Sequence, residues 1–274
     1  MPSPDSLPPV SKTALGVAML RARESRRPDR LFDDPYAQLF VDAGGAVVPV
    51  PDAAARAGAG SLVRYAQVPV RTRFYDDYLL GATAAGCRQV VLPAAGLDTR
   101  AFRLAWPEGV RLFELDLPGV LEFKESVLAG RVTPRCARTV VPADLRADWP
   151  DKLLAAGFRP GAATAWLIEG LLIYLSYDEA ARMLTAVGEL SAPCSRVSFE
   201  YHPRAGDGFI SRARETPGMR EVTALWKGGL GERALDWLTE HGWRPRTSLS
   251  SALAEEYGRP GEGVDVGGFV TAER

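Results

Sequence analysis

The residues with chemistry to offer stand just after short apolar runs. Ala94-Ala95-Gly96-Leu97-Asp98-Thr99-Arg100 follows the run Gln89–Leu92. Small residues there let the backbone approach a ligand closely, and such a turn can feed a helix N-terminus. Glu114-Leu115-Asp116 closes a second run, with Asp116 20 residues beyond Gly96. An acidic residue at that distance from a glycine turn is placed to accept hydrogen bonds from ribose hydroxyls. Asp144-Leu145 follows a third run, where Asp144 suits an exocyclic amine, and Glu169-Gly170 follows a fourth. Taken singly, Asp98 reads equally well as a helix N-cap and Asp144 as a turn cap before Trp149-Pro150. Taken together, strand after strand, they describe a nucleoside site. The loop has one glycine where the dinucleotide fingerprint has three, which disfavours a nicotinamide-dependent reductase.

These residues need a sheet to bring them together. Gln89–Leu92, Val110–Leu115, Thr139–Val141, Ala163–Ile168 and Arg196–Glu200 read as buried strands. Leu117–Ala129, Tyr177–Leu190 and Gly231–His241 read as the helices between them, and Arg244–Leu249 and Gly267–Thr271 as two further strands. That alternation predicts an α/β fold with a doubly wound, mainly parallel sheet, whose ligands lie at the carboxyl ends of the strands. Upstream, Leu15, Ala18, Met19 and Ala22 recur at helical spacing within Lys12–Arg26, and Tyr36–Val41 and Ser61–Leu80 carry further helical patterns. The expected division is a helical cap over residues 1–80 and an α/β domain over residues 81–274. The segment 203–229 holds Phe209, Met219, Leu225 and Trp226 among glycines, which suits a substrate lid. An ordinary helical excursion is the alternative.

Composition narrows the function classes. With 33 Lys+Arg against 34 Asp+Glu, the chain has no basic excess to suggest a nucleic-acid partner. Only Lys12, Lys124, Lys152 and Lys227 are lysines, so the basic side is almost all arginine. Cys87, Cys136 and Cys194 are far apart, and with His202 and His241 as the only histidines no metal site is expected. Met1–Val10 has no apolar core, and no run is long enough to span a membrane, so a cytoplasmic protein is expected.

Val91–Arg100 and Phe113-Glu114-Leu115-Asp116-Leu117-Pro118 resemble the signature of the leucine carboxyl methyltransferase-like family. Arg21-Ala22-Arg23-Glu24-Ser25, Leu31–Ala37, Arg71–Asp77 and Glu169–Leu175 are similar to its bacterial branch, which includes polyketide O-methyltransferases. So are His241-Gly242-Trp243 and Tyr257-Gly258-Arg259-Pro260. The resemblance runs from about Lys12 to the C-terminus. It implies the class I methyltransferase fold, a Rossmann-like sheet, with S-adenosyl-L-methionine as cofactor. By that resemblance Arg73 meets the methionine carboxylate, Gly96 is the glycine of the first loop, and Asp116 takes the ribose hydroxyls. Asp144 and Leu145 frame the adenine, and Glu169 lies near the methionine amino group. The chain departs from many relatives at Pro93-Ala94, where they have glycine.

The implied reaction is methyl transfer from a sulfonium to an oxygen of a small secondary metabolite, either a polyketide or aromatic hydroxyl or a carboxylate. A carboxylate needs no base, whereas a hydroxyl does. His202, after the fifth strand, is the base candidate, its alternative being a solvent-facing loop histidine. Tyr174 is a candidate to orient the acceptor, its alternative being a core position. Two other readings stay open. One is carboxyl methylation of a peptide or protein C-terminus, received by Arg71, Arg103 or Arg204. The other is a non-catalytic cofactor-binding protein.

Overall fold

The computed structural model describes residues 9–44, 59–202, 223–261 and 267–274, with side chains from Thr13 in the first segment and Gln67 in the second. Among the described residues three helices come first: α1 (Pro9–Ser25), α2 (Ala37–Gly44) and α3 (Ala59–Ala84). Then follow β1 (Gln89–Pro93), α4 (Arg100–Arg103), β2 (Arg111–Asp116), α5 (Pro118–Leu128), β3 (Ala137–Pro142) and α6 (Trp149–Ala155). The other described elements are β4 (Thr164–Ile168), α7 (Tyr177–Glu189), β5 (Arg196–Tyr201), α8 (Ala234–Glu240), β6 (Arg244–Leu249), α9 (Ser250–Glu256) and β7 (Gly268–Glu273). Short 3₁₀ turns at Leu172–Tyr174 and Gly231–Arg233 precede α7 and α8.

The strands form one seven-stranded sheet in the order β3-β2-β1-β4-β5-β7-β6. β1 to β5 pair in parallel, while β7 runs antiparallel to both β5 and β6. The chain winds outward through β2 and β3 on one side of β1, then returns through β4 to the other. The order therefore reverses between β1 and β4, and that crevice is where an open sheet takes its ligand.

β1 and β4 are buried at every position, which explains their continuous apolar runs. Alternate residues feed two cores. Val91, Phe113, Trp166 and Phe199 pack with Trp149 of α6, Leu184 of α7 and Trp237 of α8. Val90, Leu92, Leu112 and Leu167 pack on the opposite face with Leu15 of α1, Phe40 of α2, Tyr75 of α3 and Phe123 of α5. The helices ahead of β1 thus share a core with the sheet. They cover one face and reach over its carboxyl end.

α7 starts where its sequence says it should. Ser176 accepts the Glu179 N–H while Glu179 Oε2 accepts the Ser176 N–H, a capping box. This fixes the chain direction just after Tyr174. No helix among the described residues is long and apolar enough to cross a membrane. Of the proposed lid segment, residues 203–222 lie outside the described residues.

Candidate active site

A cavity of about 490 Å³ opens at the carboxyl ends of β1 to β4, over the reversal point. Its floor is the loop Pro93–Asp98. Ala94 (φ 56°) and Gly96 (φ 50°) both take the left-handed conformation, which curls the loop tightly after β1. A side chain on Gly96 would meet Ala14 Cβ at 3.7 Å, so α1 lies directly on the loop. Thr13, Ala14, Val17 and Arg21 of α1 make one wall. Arg21 fastens that wall: Nη2 donates to Leu97 O at 2.6 Å, and Nη1 sits 3.1 Å from Asp34 Oδ2.

Asp116 stands at the end of β2. Oδ2 accepts the Gly96 N–H at 2.6 Å and Oδ1 accepts the Leu117 N–H at 2.7 Å. Burial pushes the Asp116 carboxyl up, and these two N–H groups offset the push only partly. Asp116 lines the cavity.

Asp144 and Leu145, after β3, line the same cavity. Asp144 is bound bidentately by Arg146, at 2.9 Å from Nε and 2.6 Å from Nη2. That pairing, with the Arg146 N–H, lowers its carboxyl to about 2. Leu145 packs against the core beneath.

Glu169, after β4, is gripped from both sides. Oε1 lies 2.8 Å from Arg71 Nε, and Oε2 accepts from Arg100 Nη1 at 2.8 Å. Burial pushes its carboxyl up, but Arg100 and then Arg71 outweigh that and hold it below its ordinary value. Arg100, which is fully buried, also pairs with Asp98 and with Asp76 of α3. Burial acts to raise the Asp98 carboxyl, yet Arg100, Lys124 and Arg21 bring it to about 2. Tyr174 of the 3₁₀ turn, with Leu171, Leu175, Leu225 and Lys227, closes the outer wall.

Two expected residues are elsewhere. Arg73 is half-exposed, bonded to Asp77 Oδ2 at 2.7 Å and to Leu31 O at 3.2 Å, and outside the cavity wall. Two residues along α3 turn a side chain about 200° around the axis, so Arg71 faces the cavity and Arg73 does not. Arg71 Nη1 donates to Glu200 Oε1 at 3.2 Å, while its buried Nε makes an ion pair with Glu169 but no hydrogen bond. His202 also lies outside the wall, packed against Gly267 and beside a small void near Gly229. It follows β5 where β5 pairs with β7, one strand beyond the reversal point.

Arg71, Arg100, Asp98 and the α1 wall also line the cavity, where spacing alone does not place them. Arg100 did carry a signal, since Asp98-Thr99-Arg100 directly follows the glycine turn. Among the described residues, no cluster of His, Cys, Asp and Glu could hold a metal ion.

The leucine carboxyl methyltransferase family model matches residues 14–188. A protein of Parafrankia sp. (strain EAN1pec), assigned as an S-adenosyl-L-methionine-dependent methyltransferase, is 53% identical over 97% of this chain and 87% of its own length. A Streptomyces coelicolor protein with the same assignment is 46% identical over 92% of this chain and 89% of its own. A Thermobifida fusca structure assigned as a methyltransferase matches with a TM-score of 0.55 and 19% identity, covering 90% of this chain and 94% of that one. This last likeness speaks to fold, the class I methyltransferase architecture. The chain belongs to the leucine carboxyl methyltransferase family.

Proposed function

We propose that this methyltransferase transfers a methyl group from S-adenosyl-L-methionine to an oxygen of a small acceptor, a secondary metabolite bearing a carboxylate or an acidic hydroxyl. The observation that carries the reading is the gathering of Asp116, Asp144, Glu169 and Arg71 around one cavity at the reversal point. When bound, the cofactor supplies an electrophilic methyl on a sulfonium.

The donor set fits that group. Gly96 leaves the loop floor bare, and Asp116 offers carboxylate lone pairs to the ribose hydroxyls. Asp144 and Leu145 flank the adenine position. Arg71, in the place given to Arg73 by resemblance, offers its guanidinium to the methionine carboxylate. A guanidinium fork suits that partner. Glu169 lies beside it for the amino group.

The acceptor class follows from the remaining chemistry of the wall. Glu169, Asp98 and Asp144 are held low by guanidiniums, and so are weak bases at neutral pH. Asp116 is engaged by two N–H groups. Among the described lining residues no imidazole is present. An acceptor oxygen that arrives already ionised needs no base, and positioning alone then serves an in-line transfer. Val17, Leu171, Leu175 and Leu225 give it an apolar bed, and Tyr174 orients it.

A labelled-methyl screen tests the reading. Small aromatic and polyketide-like carboxylates, phenols and C-terminal peptides are offered with labelled cofactor. Label on a small carboxylate or acidic phenol supports it. Label only on peptides, or cofactor binding without transfer to any class, overturns it.

A further inference from the structure

The amino-acid end of the cavity holds more carboxylates than guanidiniums. Glu200 of β5 stands behind the wall there. Both its oxygens accept the Gly170 N–H, at 2.8 and 3.0 Å, and Oε1 lies 3.2 Å from Arg71 Nη1. Arg71 is therefore shared by Glu169 and Glu200, while Arg100 is shared by Asp98, Glu169 and Asp76. Asp76 is also answered by Arg103. Without Asp76, two guanidiniums face three carboxylates in a little-exposed group. The surplus falls on Glu200. Burial pushes its carboxyl up, Arg71 offsets part of this, and the Glu169 charge adds to the push.

We propose that Glu200 is a positioning residue that reads cofactor charge, selecting the sulfonium cofactor over its neutral thioether product. The inference rests on the cofactor reading above. The amino-acid end is a zwitterion in both forms, and only the sulfonium form carries an extra positive charge. That charge compensates ionised Glu200 across a poorly polarisable wall. After transfer the sulfur is neutral, and Glu200 is again the surplus carboxylate, able to recover a proton from solvent. Discrimination thus follows the ionisation of Glu200: strong where it is charged, weak where it is protonated.

The facing groups separate cleanly. Arg71 and Tyr75 face Glu200 from α3, Glu169 from the end of β4, and Arg100 acts through Arg71. Glu169 and Asp98 are held low and stay ionised, and burial keeps the Tyr75 hydroxyl neutral. Asp116 and Asp144 meet parts of the cofactor that both forms share, so they cancel in a ratio. Tyr201 and His202 border the same small void as Glu200; burial pushes the Tyr201 hydroxyl up, so it stays neutral, and His202 is the neighbour to test.

Calorimetric titration of the whole chain with S-adenosyl-L-methionine and S-adenosyl-L-homocysteine, from about pH 5 to about pH 8, tests this. The affinity ratio is expected to rise with pH in favour of the sulfonium form by about tenfold, the effect of one pKa unit of differential interaction. Glu200→Gln, which keeps an oxygen for the Gly170 N–H, is expected to flatten the ratio. His202→Gln is expected to keep the slope, and serves if the first variant does not fold. A flat wild-type ratio with both ligands bound, a slope that survives Glu200→Gln, or a slope lost in His202→Gln overturns the inference. If the wild type binds neither ligand, the cofactor reading itself falls, and the inference with it.

Discussion

The Gly96 N–H donates to Asp116 Oδ2 at 2.6 Å, so the carboxylate assigned to the ribose is itself held by the loop that forms the floor. Replacing Asp116 by Ala removes a cofactor acceptor and leaves two N–H groups seeking partners. Affinity for S-adenosyl-L-methionine is expected to fall by roughly 10- to 100-fold, in line with about 1.5–3 kcal/mol for a hydrogen bond to a charged group. Calorimetry checks it, and unchanged affinity removes Asp116 from the site.

Asp116 also sets an acid limit on binding. Its carboxyl lies above the ordinary 3.8, so the acceptor form is lost before that of an exposed aspartate. Affinity for both cofactor forms is expected to decline together as pH falls through that raised value. An Asp116→Asn variant is expected to bind weakly with no such decline.

Arg71 and Arg73 lie on different sides of α3, and their variants should diverge. Arg71→Ala is expected to weaken S-adenosyl-L-methionine strongly while sparing 5′-methylthioadenosine, which lacks the carboxylate. Arg73→Ala breaks a half-exposed pair with Asp77, worth about 0.3–0.5 kcal/mol in stability, and leaves cofactor affinity unchanged. Equal losses in both variants would count against the assignment.

Asp98 makes folding acid-sensitive. Burial works against its ionised form, but Arg100 and its neighbours bring the carboxyl to about 2 from 3.8. A depressed acid stabilises the fold above its unfolded value, and that contribution disappears as pH falls through the folded value. The expected loss is about 2 kcal/mol between pH 3.8 and about 2. Chemical denaturation across that window checks it, with Asp98→Asn removing this part of the slope.

Gly229 and Gly96 both have positive φ, yet alanine should cost more at Gly229. Its side chain would come within 2.7 Å of Leu172 O, a backbone atom that cannot step aside. At Gly96 the nearest atoms, at 3.7 and 3.9 Å, are ordinary contacts. Gly96→Ala is expected to lower stability by about 1–2 kcal/mol, from backbone conformation alone. Gly229→Ala is expected to exceed that and to disturb Tyr174, readable in thermal melts and in the Tyr174 environment.

The sheet was legible because each parallel strand is a short apolar run closed by small or acidic residues, and all seven strands occur where the runs lie. α6 and α9 were not. Each buries only two residues, against three in the equally short α8, so no hydrophobic period registers, and α6 opens on Trp149-Pro150. Gly96, Asp116, Asp144, Leu145, Glu169 and Tyr174 all reach the cavity, since strand ends are fixed by the sheet. The helical contribution needed a phase. Val68, Thr72, Tyr75 and Leu79 mark the buried stripe of α3, and Arg73 lies off it, four residues before Asp77. His202 is not among the described lining residues, since leaving a strand end says nothing about distance from the reversal point.

The buried charges from Glu200 through Arg71, Glu169, Arg100, Asp76 and Arg103 to Asp34 and Arg21 alternate in sign across three helices, two strand ends and a loop. A protein built this way resists piecemeal inheritance. Losing any one member strands its neighbour without a counterion, which is costlier than losing the pair. Substitutions along this line should therefore arrive as matched sets. A chimera that borrows its first 80 residues from a relative would fold well only if that relative carried the same sign at each position.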